Sequence, residues 1–342
     1  MIPRESGLRH LVKALIFSAG LMCSVSPAAR GQTYVVLVRG LAGEATYAER
    51  FHGWATVFRT AAARLGVPDS QVIYLAEDPE RDLTSIRGPA TKERLSAVLR
   101  DVASRGGPDA TVFLVLLGHG SDRGEPRLSL PGPDLSATEL RDLLGAFSTQ
   151  RVVVVNAASA SGGFLPLLSA PKRVVVTATK SGFEQNHALF GGYFVEAFGS
   201  GDADLDKDER VSVLEAFLHA KGAVARAYEA DRRLLTEHAM LDDNGDGQGT
   251  GDPSATGKDG SRAAAVFLAP VPAAMVAGLA GDSIAVALER RRAGLEERIA
   301  ALRARKEAMP QDAYERELEG LLVELAEVTR ALRERAAGRP PR

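Results

Sequence analysis

The sequence predicts an α/β fold in which a mostly parallel sheet is covered by helices on both faces. From Thr33 onward, short β-branched apolar runs alternate with helical patterns, the signature of that arrangement. Four of five such runs are nearly continuous in Val, Leu and Ile, as suits strands buried on both faces. The chain's 342 residues suffice for one such domain with an appendage.

Strands are expected at Tyr34 to Arg39, Gln71 to Leu75, Thr111 to Leu117, Arg151 to Val155 and Arg173 to Ala178. Helices are expected between them, over Thr46 to Leu65, Thr91 to Ser104, Ser136 to Ala146 and Asn186 to Phe198. Ser136 with Glu139 fits a capping box, in which each side chain satisfies one orphan amide. Val213 to Arg233 reads as a further helix and Asp242 to Arg262, rich in Gly, Asp, Ser and Thr, as a loop. Ala263 to Ala280 is apolar but broken by Pro270, Pro272 and Gly278, so it is read as a buried strand and connector rather than a membrane span.

From Asp282 the pattern becomes long helix. Tyr314, Leu318, Leu321, Leu325, Val328 and Leu332 form a heptad seam. Ile284, Leu288, Leu295, Ile299 and Leu302 form a matching stripe upstream, with Met309-Pro310-Gln311-Asp312 between the two. Residues 281–336 are therefore expected to make an antiparallel, coiled-coil-like hairpin. It would pack on itself, on the sheet domain or on a second copy of the chain, the last making a homo-oligomer.

Residues 1–31 read as a secretory signal: Arg4, Arg9 and Lys13 precede the apolar run Ala14 to Val25, and Pro27-Ala28-Ala29 supplies small residues for cleavage. A secreted or periplasmic location is expected, with no stable membrane span once the signal is removed. The only cysteine, Cys23, falls inside this segment, so the processed protein would hold neither a disulfide nor a cysteine nucleophile. The net charge of −2 gives no reason to expect nucleic acid as a partner.

In open parallel sheets, ligands bind beyond the carboxyl ends of the strands. Two segments there carry chemistry. Leu117-Gly118-His119-Gly120-Ser121 places a histidine between glycines as the chain leaves a strand. Asn156-Ala157-Ala158-Ser159-Ala160-Ser161-Gly162-Gly163 supplies small residues that let the backbone turn tightly against a ligand.

These motifs resemble the caspase-like superfamily, and within it the bacterial relatives of legumain, which place His-Gly after one strand and Cys-x-Ser-Gly after the next. The resemblance runs from about Thr33 to Ala220. Laying Ser161-Gly162 on that Ser-Gly puts Ser159 at the cysteine position. It implies a three-layer caspase-like sandwich with His119 as acid/base, Ser159 as the nucleophile position, and the Gly120 and Ser159 amides as oxyanion donors. It also implies a peptidase acting on a polypeptide, with Arg39 a candidate for the substrate pocket; an exposed strand-end arginine is the alternative.

Serine in place of cysteine changes the expectation, because a hydroxyl has a far higher pKa than a thiol and needs a tightly bonded base. Three readings stand: Ser159 is inert and the fold persists as a binding module or pseudoenzyme; Ser159 and His119 form a serine hydrolase pair oriented by Asp122, Asn156 or another acid; or His119 is a loop histidine with structural bonds only. The missing thiol favours the first.

Asp204 to Glu215 resembles an EF-hand calcium loop. Asp204, Asp206 and Asp208 would supply carboxylates, Arg210 a backbone carbonyl, Ser212 a direct or water-mediated oxygen and Glu215 a bidentate pair. Glu209 stands where glycine is usual. A second acidic stretch, 242–253, begins in register with Asp242, Asn244 and Asp246 but ends at Pro253, and is either a partial site or a plain turn.

Overall fold

The structure, a computed structural model, describes residues 32–269, 282–306 and 309–336. The expected signal segment with Cys23, and the Pro270 to Ala280 part of the apolar stretch, lie outside the described residues.

Strand β1 (Thr33–Arg39) leads into α1 (Ala45–Arg64), then β2 (Val72–Ala76), β3 (Ile86–Pro89) and α2 (Lys92–Arg105). Strand β4 (Thr111–Leu117) is followed by three short strands, β5 (Gly120–Asp122), β6 (Pro126–Leu128) and β7 (Leu135–Ser136), and by α3 (Ala137–Leu144). Next come β8 (Arg151–Asn156), α4 (Leu165–Leu168), β9 (Arg173–Thr177), α5 (Phe190–Ala197), α6 (Val213–Ala230) and β10 (Met240–Asp242). Helices α7 (Ser283–Ala304) and α8 (Gln311–Ala336) form the terminal hairpin.

The large sheet runs β10-β9-β8-β4-β1-β2-β3, parallel throughout except where β10 pairs antiparallel with β9. Alternate residues of each strand feed opposite cores. Val35, Leu37, Phe113, Val115 and Val155 pack with Phe58 of α1, Phe194 of α5 and Phe217 of α6. Val36, Val38, Leu114 and Val154 pack with Leu95 and Leu99 of α2 and Leu140 of α3. The result is a three-layer α/β sandwich, as expected, and its central strands are apolar on both faces because both faces are covered.

Several elements escape the expectation. The β5-β6-β7 antiparallel sheet, β3 and β10 were not foreseen, and the 263–280 stretch opens with a 3-10 turn at Ala263–Ala265 rather than a strand. Phe267 nevertheless makes one bridge to Ser212. No helix among the described residues is long and apolar enough to cross a membrane.

The hairpin closes on its own seam, with Leu295, Ile299, Leu302, Tyr314, Leu321, Val328 and Leu332 as its core. Arg335 pairs with Asp282, which also accepts the first amides of α7 as its N-cap. The hairpin also touches the sheet domain, through Arg303 to the carbonyl of Ala255 and through Glu296 to Arg210.

Candidate functional site

Parallel pairing fixes where the two sequence motifs meet. Leu116 of β4 stands opposite Asn156 of β8, so the loops that leave these neighbouring strands emerge side by side on one rim. Gly120 and Ser159 come into contact there: the Gly120 amide donates to Ser159 Oγ at 3.1 Å, and the hydroxyl donates back to the Gly120 carbonyl at 3.3 Å. The hydroxyl is thereby engaged both as acceptor and as donor by the backbone of one residue. Ser159 is 4% exposed.

The turn that follows is equally fixed. Ala160 adopts a left-handed φ of 54°, and its amide bonds the carbonyl of Glu184. Ser161 Oγ, Thr179 Oγ1 and the Gly162 amide form a buried network between this turn and the loop after β9. A Cβ on Gly162 would lie 2.2 Å from the Ser181 nitrogen, so the close approach requires glycine.

His119 is held by other partners. Its Nε2 lies 3.1 Å from the carbonyl of Ala42. A carbonyl only accepts, so in that bond Nε2 carries the proton. The ring stands edge-on to Tyr47 at 5.0 Å and to Phe51 at 5.4 Å, both from α1. His187 meets Tyr47 in the same way at 4.7 Å, and Arg50 donates to its Nε2. Burial, with the His119 and Arg50 charges, holds His187 below the usual histidine range.

Neither Asp122 nor Asn156, the side chains considered as orienting groups, hydrogen-bonds His119. Asp122 accepts the amide of Gly124, and Asn156 accepts that of Ala158 while its Nδ2 has no partner among the described residues. The structure therefore brings His119, Gly120 and Ser159 to one rim, while the hydrogen bonds of both side chains run to backbone groups.

Arg39 closes the same rim, opposite Leu117 and Ala76. The exposed-arginine alternative is overturned: Arg39 is 1% exposed. Its Nη1 bonds Glu77 at 3.1 Å, while Nε and Nη2 have no hydrogen-bond partner among the described residues. The other Glu77 oxygen accepts the amide of Ala42, the residue whose carbonyl holds His119. One chain of contacts thus joins Arg39, Glu77, Ala42 and His119.

Sequence reasoning missed Glu77, Tyr47, Phe51 and His187. Glu77 directly follows β2, the same strand-end signal that pointed to His119. Tyr47 and Phe51 lie one turn apart on α1, a spacing that by itself marks only a shared face.

The acidic loop lies elsewhere, between α5 and α6. Carboxylate oxygens of Asp204, Asp206 and Asp208 come within 4.8 Å of one another. Glu209 takes a φ of 70°, the left-handed conformation that its position in such a loop demands, in spite of its side chain. Burial, followed by the Glu215 and Asp204 charges, raises the Asp206 pKa; burial with the Asp206 charge pushes Asp208 up to about 6 against the pull of Arg210. Glu215 is turned onto the loop itself, accepting the Leu205 and Asp206 amides and both the amide and hydroxyl of Ser212. Ser212 and Glu215 form the capping box of α6.

The loop is also tied to the hairpin. The Arg210 guanidinium stacks 3.2 Å from the Phe267 ring centre and pairs with Glu296 of α7 at 3.4 Å. In the second acidic stretch, Asp242 accepts the Gly245 and Gly247 amides, Asp246 accepts that of Gln248, and Lys258 pairs with Asp246 at 2.6 Å.

No protein-family model and no curated protein matches the chain. Among solved structures it is similar to the Drosophila initiator caspase Dronc, at 11% identity over 64% of this chain and 82% of that one, with a TM-score of 0.43. The chemistry of the site rests on this chain's own residues.

Proposed function

We propose that this chain is an exported caspase-type peptidase homologue that has lost bond cleavage and acts as a calcium-holding module for a polypeptide partner. The observation that carries this reading is the double hydrogen bond between the Ser159 hydroxyl and the Gly120 peptide. A serine hydroxyl attacks only as a base takes its proton. The Ser159 hydroxyl instead donates to the Gly120 carbonyl, and the amide that would steady an oxyanion is already occupied by Ser159 itself; His119, whose Nε2–H goes to Ala42, keeps Nδ1 as its lone-pair nitrogen.

The alternative, a serine hydrolase using Ser159 and His119, requires the Ser159 hydroxyl to leave Gly120 and turn to the His119 Nδ1 when substrate arrives. Incubation of the purified chain with fluorogenic peptides containing Asp or Asn is expected to give no hydrolysis above that of Ser159→Ala. Hydrolysis that is lost in both Ser159→Ala and His119→Ala overturns the reading in favour of the hydrolase. A ligand offering a carboxylate is supported by Arg39, whose guanidinium is only half matched by Glu77.

Calcium at residues 204–215 is supported by three converging carboxylates and by the left-handed Glu209. Ca²⁺ takes six to eight oxygens, and it would relieve the mutual repulsion of these groups. Titration calorimetry is expected to show calcium binding at submillimolar concentration, weakened about tenfold or more in Asp206→Asn, which keeps the shape and removes one charge. Absence of heat in the wild type at millimolar calcium removes this part of the reading.

A further inference from the structure

Helix α8 carries apolar residues on two faces, and only one is used by the hairpin. The inner seam packs on α7. On the other side, a groove lined by Glu315, Leu318, Glu319, Leu322, Val323 and Ala326 is open to solvent. Leu322 is 43% exposed and Val323 54%. Isolated exposed apolar residues are ordinary, but Leu322 belongs to a second pattern, with Val323 beside it.

Glu315, Glu319, Leu322, Ala326, Thr329 and Arg333 follow one another at alternating spacings of four and three residues, a heptad seam of their own. The seam spans about 27 Å at 1.5 Å per residue. It has a small apolar centre, acidic residues at one end, and Arg330 and Arg333 at the other. Neither arginine has an ion-pair partner among the described residues.

This pattern is symmetric about position 324. In an antiparallel pair, Glu315 faces Arg333, Glu319 faces Thr329 beside Arg330, and Leu322 faces Ala326, and each match occurs twice. A parallel pair would instead set Glu315 against Glu315 and Arg333 against Arg333, and like charges at such positions oppose association. We propose that the outer face of α8 is a self-complementary dimer surface, which pairs antiparallel with the same face of a second copy of this chain. Such a two-fold contact is isologous and closes on itself, so it yields a dimer rather than a filament. The inference does not depend on the state of Ser159 or on calcium.

Sedimentation velocity of the purified full chain over micromolar concentrations is expected to show a reversible dimer. Leu322→Glu with Ala326→Glu changes only exposed positions. It should raise the dissociation constant about tenfold or more while leaving the thermal unfolding midpoint of the monomer unchanged. Glu315→Arg with Glu319→Arg should also give monomers, because arginine then faces arginine. Adding Arg330→Glu with Arg333→Glu to that variant should restore the dimer. A wild-type monomer throughout the range, a dimer indifferent to the Leu322 and Ala326 changes, or failure of the fourfold charge reversal to restore association overturns the proposal.

Discussion

Gly120→Ala is expected to cost about 3 kcal/mol of stability and to lower the unfolding midpoint by roughly 6–12 °C. A Cβ at this position would lie 2.4 Å from the Ser159 carbonyl oxygen and 3.0 Å from that of Arg127. Both obstacles are main chain, one from the turn after β8 and the other from the partner strand β6, so no rotamer change relieves them. The peptide must move, and with it the two bonds to the Ser159 hydroxyl. Gly320→Ala is the matched control, because nothing lies within 4 Å of the Cβ added there and the site is an exposed helical one. It should gain close to 1 kcal/mol. Thermal denaturation of the three proteins checks both signs; a neutral Gly120→Ala would mean that the two loops do not meet as described.

The second large effect belongs to Arg39. Arg39→Ala is expected to cost about 3–5 kcal/mol, and Arg39→Met about 1–2 kcal/mol less than that. Both substitutions strip Glu77 of its cation, loosening the carboxylate that holds the Ala42 amide, and the alanine also leaves a void in the buried rim. Methionine refills most of the volume and removes the two unmatched guanidinium nitrogens together with the charge. Equilibrium unfolding in urea separates the two substitutions. If stability were the only role of Arg39, the methionine variant would keep all ligand binding. The reading given to its unmatched nitrogens predicts instead that Arg39→Met retains the fold and loses affinity for carboxylate-bearing peptides.

Much of this architecture was legible because its physics is local. Strands β1, β4, β8 and β9 announce themselves by runs such as Val152-Val153-Val154-Val155, which nothing but a doubly covered strand accommodates comfortably. The hairpin declares its seam through spacing alone. By contrast, β3 contains Gly88 and Pro89, and β5 to β7 are two or three residues long, so their pairing comes from the tertiary setting rather than from propensity.

The same division runs through the site. That His119 and Ser159 leave neighbouring strand ends could be read from the motifs, since the rim follows from strand order. Which atom each side chain bonds could not, because it depends on ångström-scale placement of Gly120 and Ala42. The burial of Arg39 stayed open in the sequence for a related reason: whether a strand-end arginine points outward or folds under the rim is decided by Glu77, brought close by the pairing of Arg39 with Ala76. In the acidic loop, the three aspartates were legible by spacing, but the engagement of Glu215 by four backbone and hydroxyl groups was not.

Labelling with a fluorophosphonate probe tests the claim about Ser159 most directly, because the probe reports activation of a serine hydroxyl without needing the natural substrate. The wild type, Ser159→Ala and His119→Ala are compared with calcium present. The hydrogen bonds of Ser159 to the Gly120 peptide predict that the wild type labels no more than Ser159→Ala. Rapid labelling of the wild type that disappears in both variants would contradict them, and would make Ser159 and His119 a working pair.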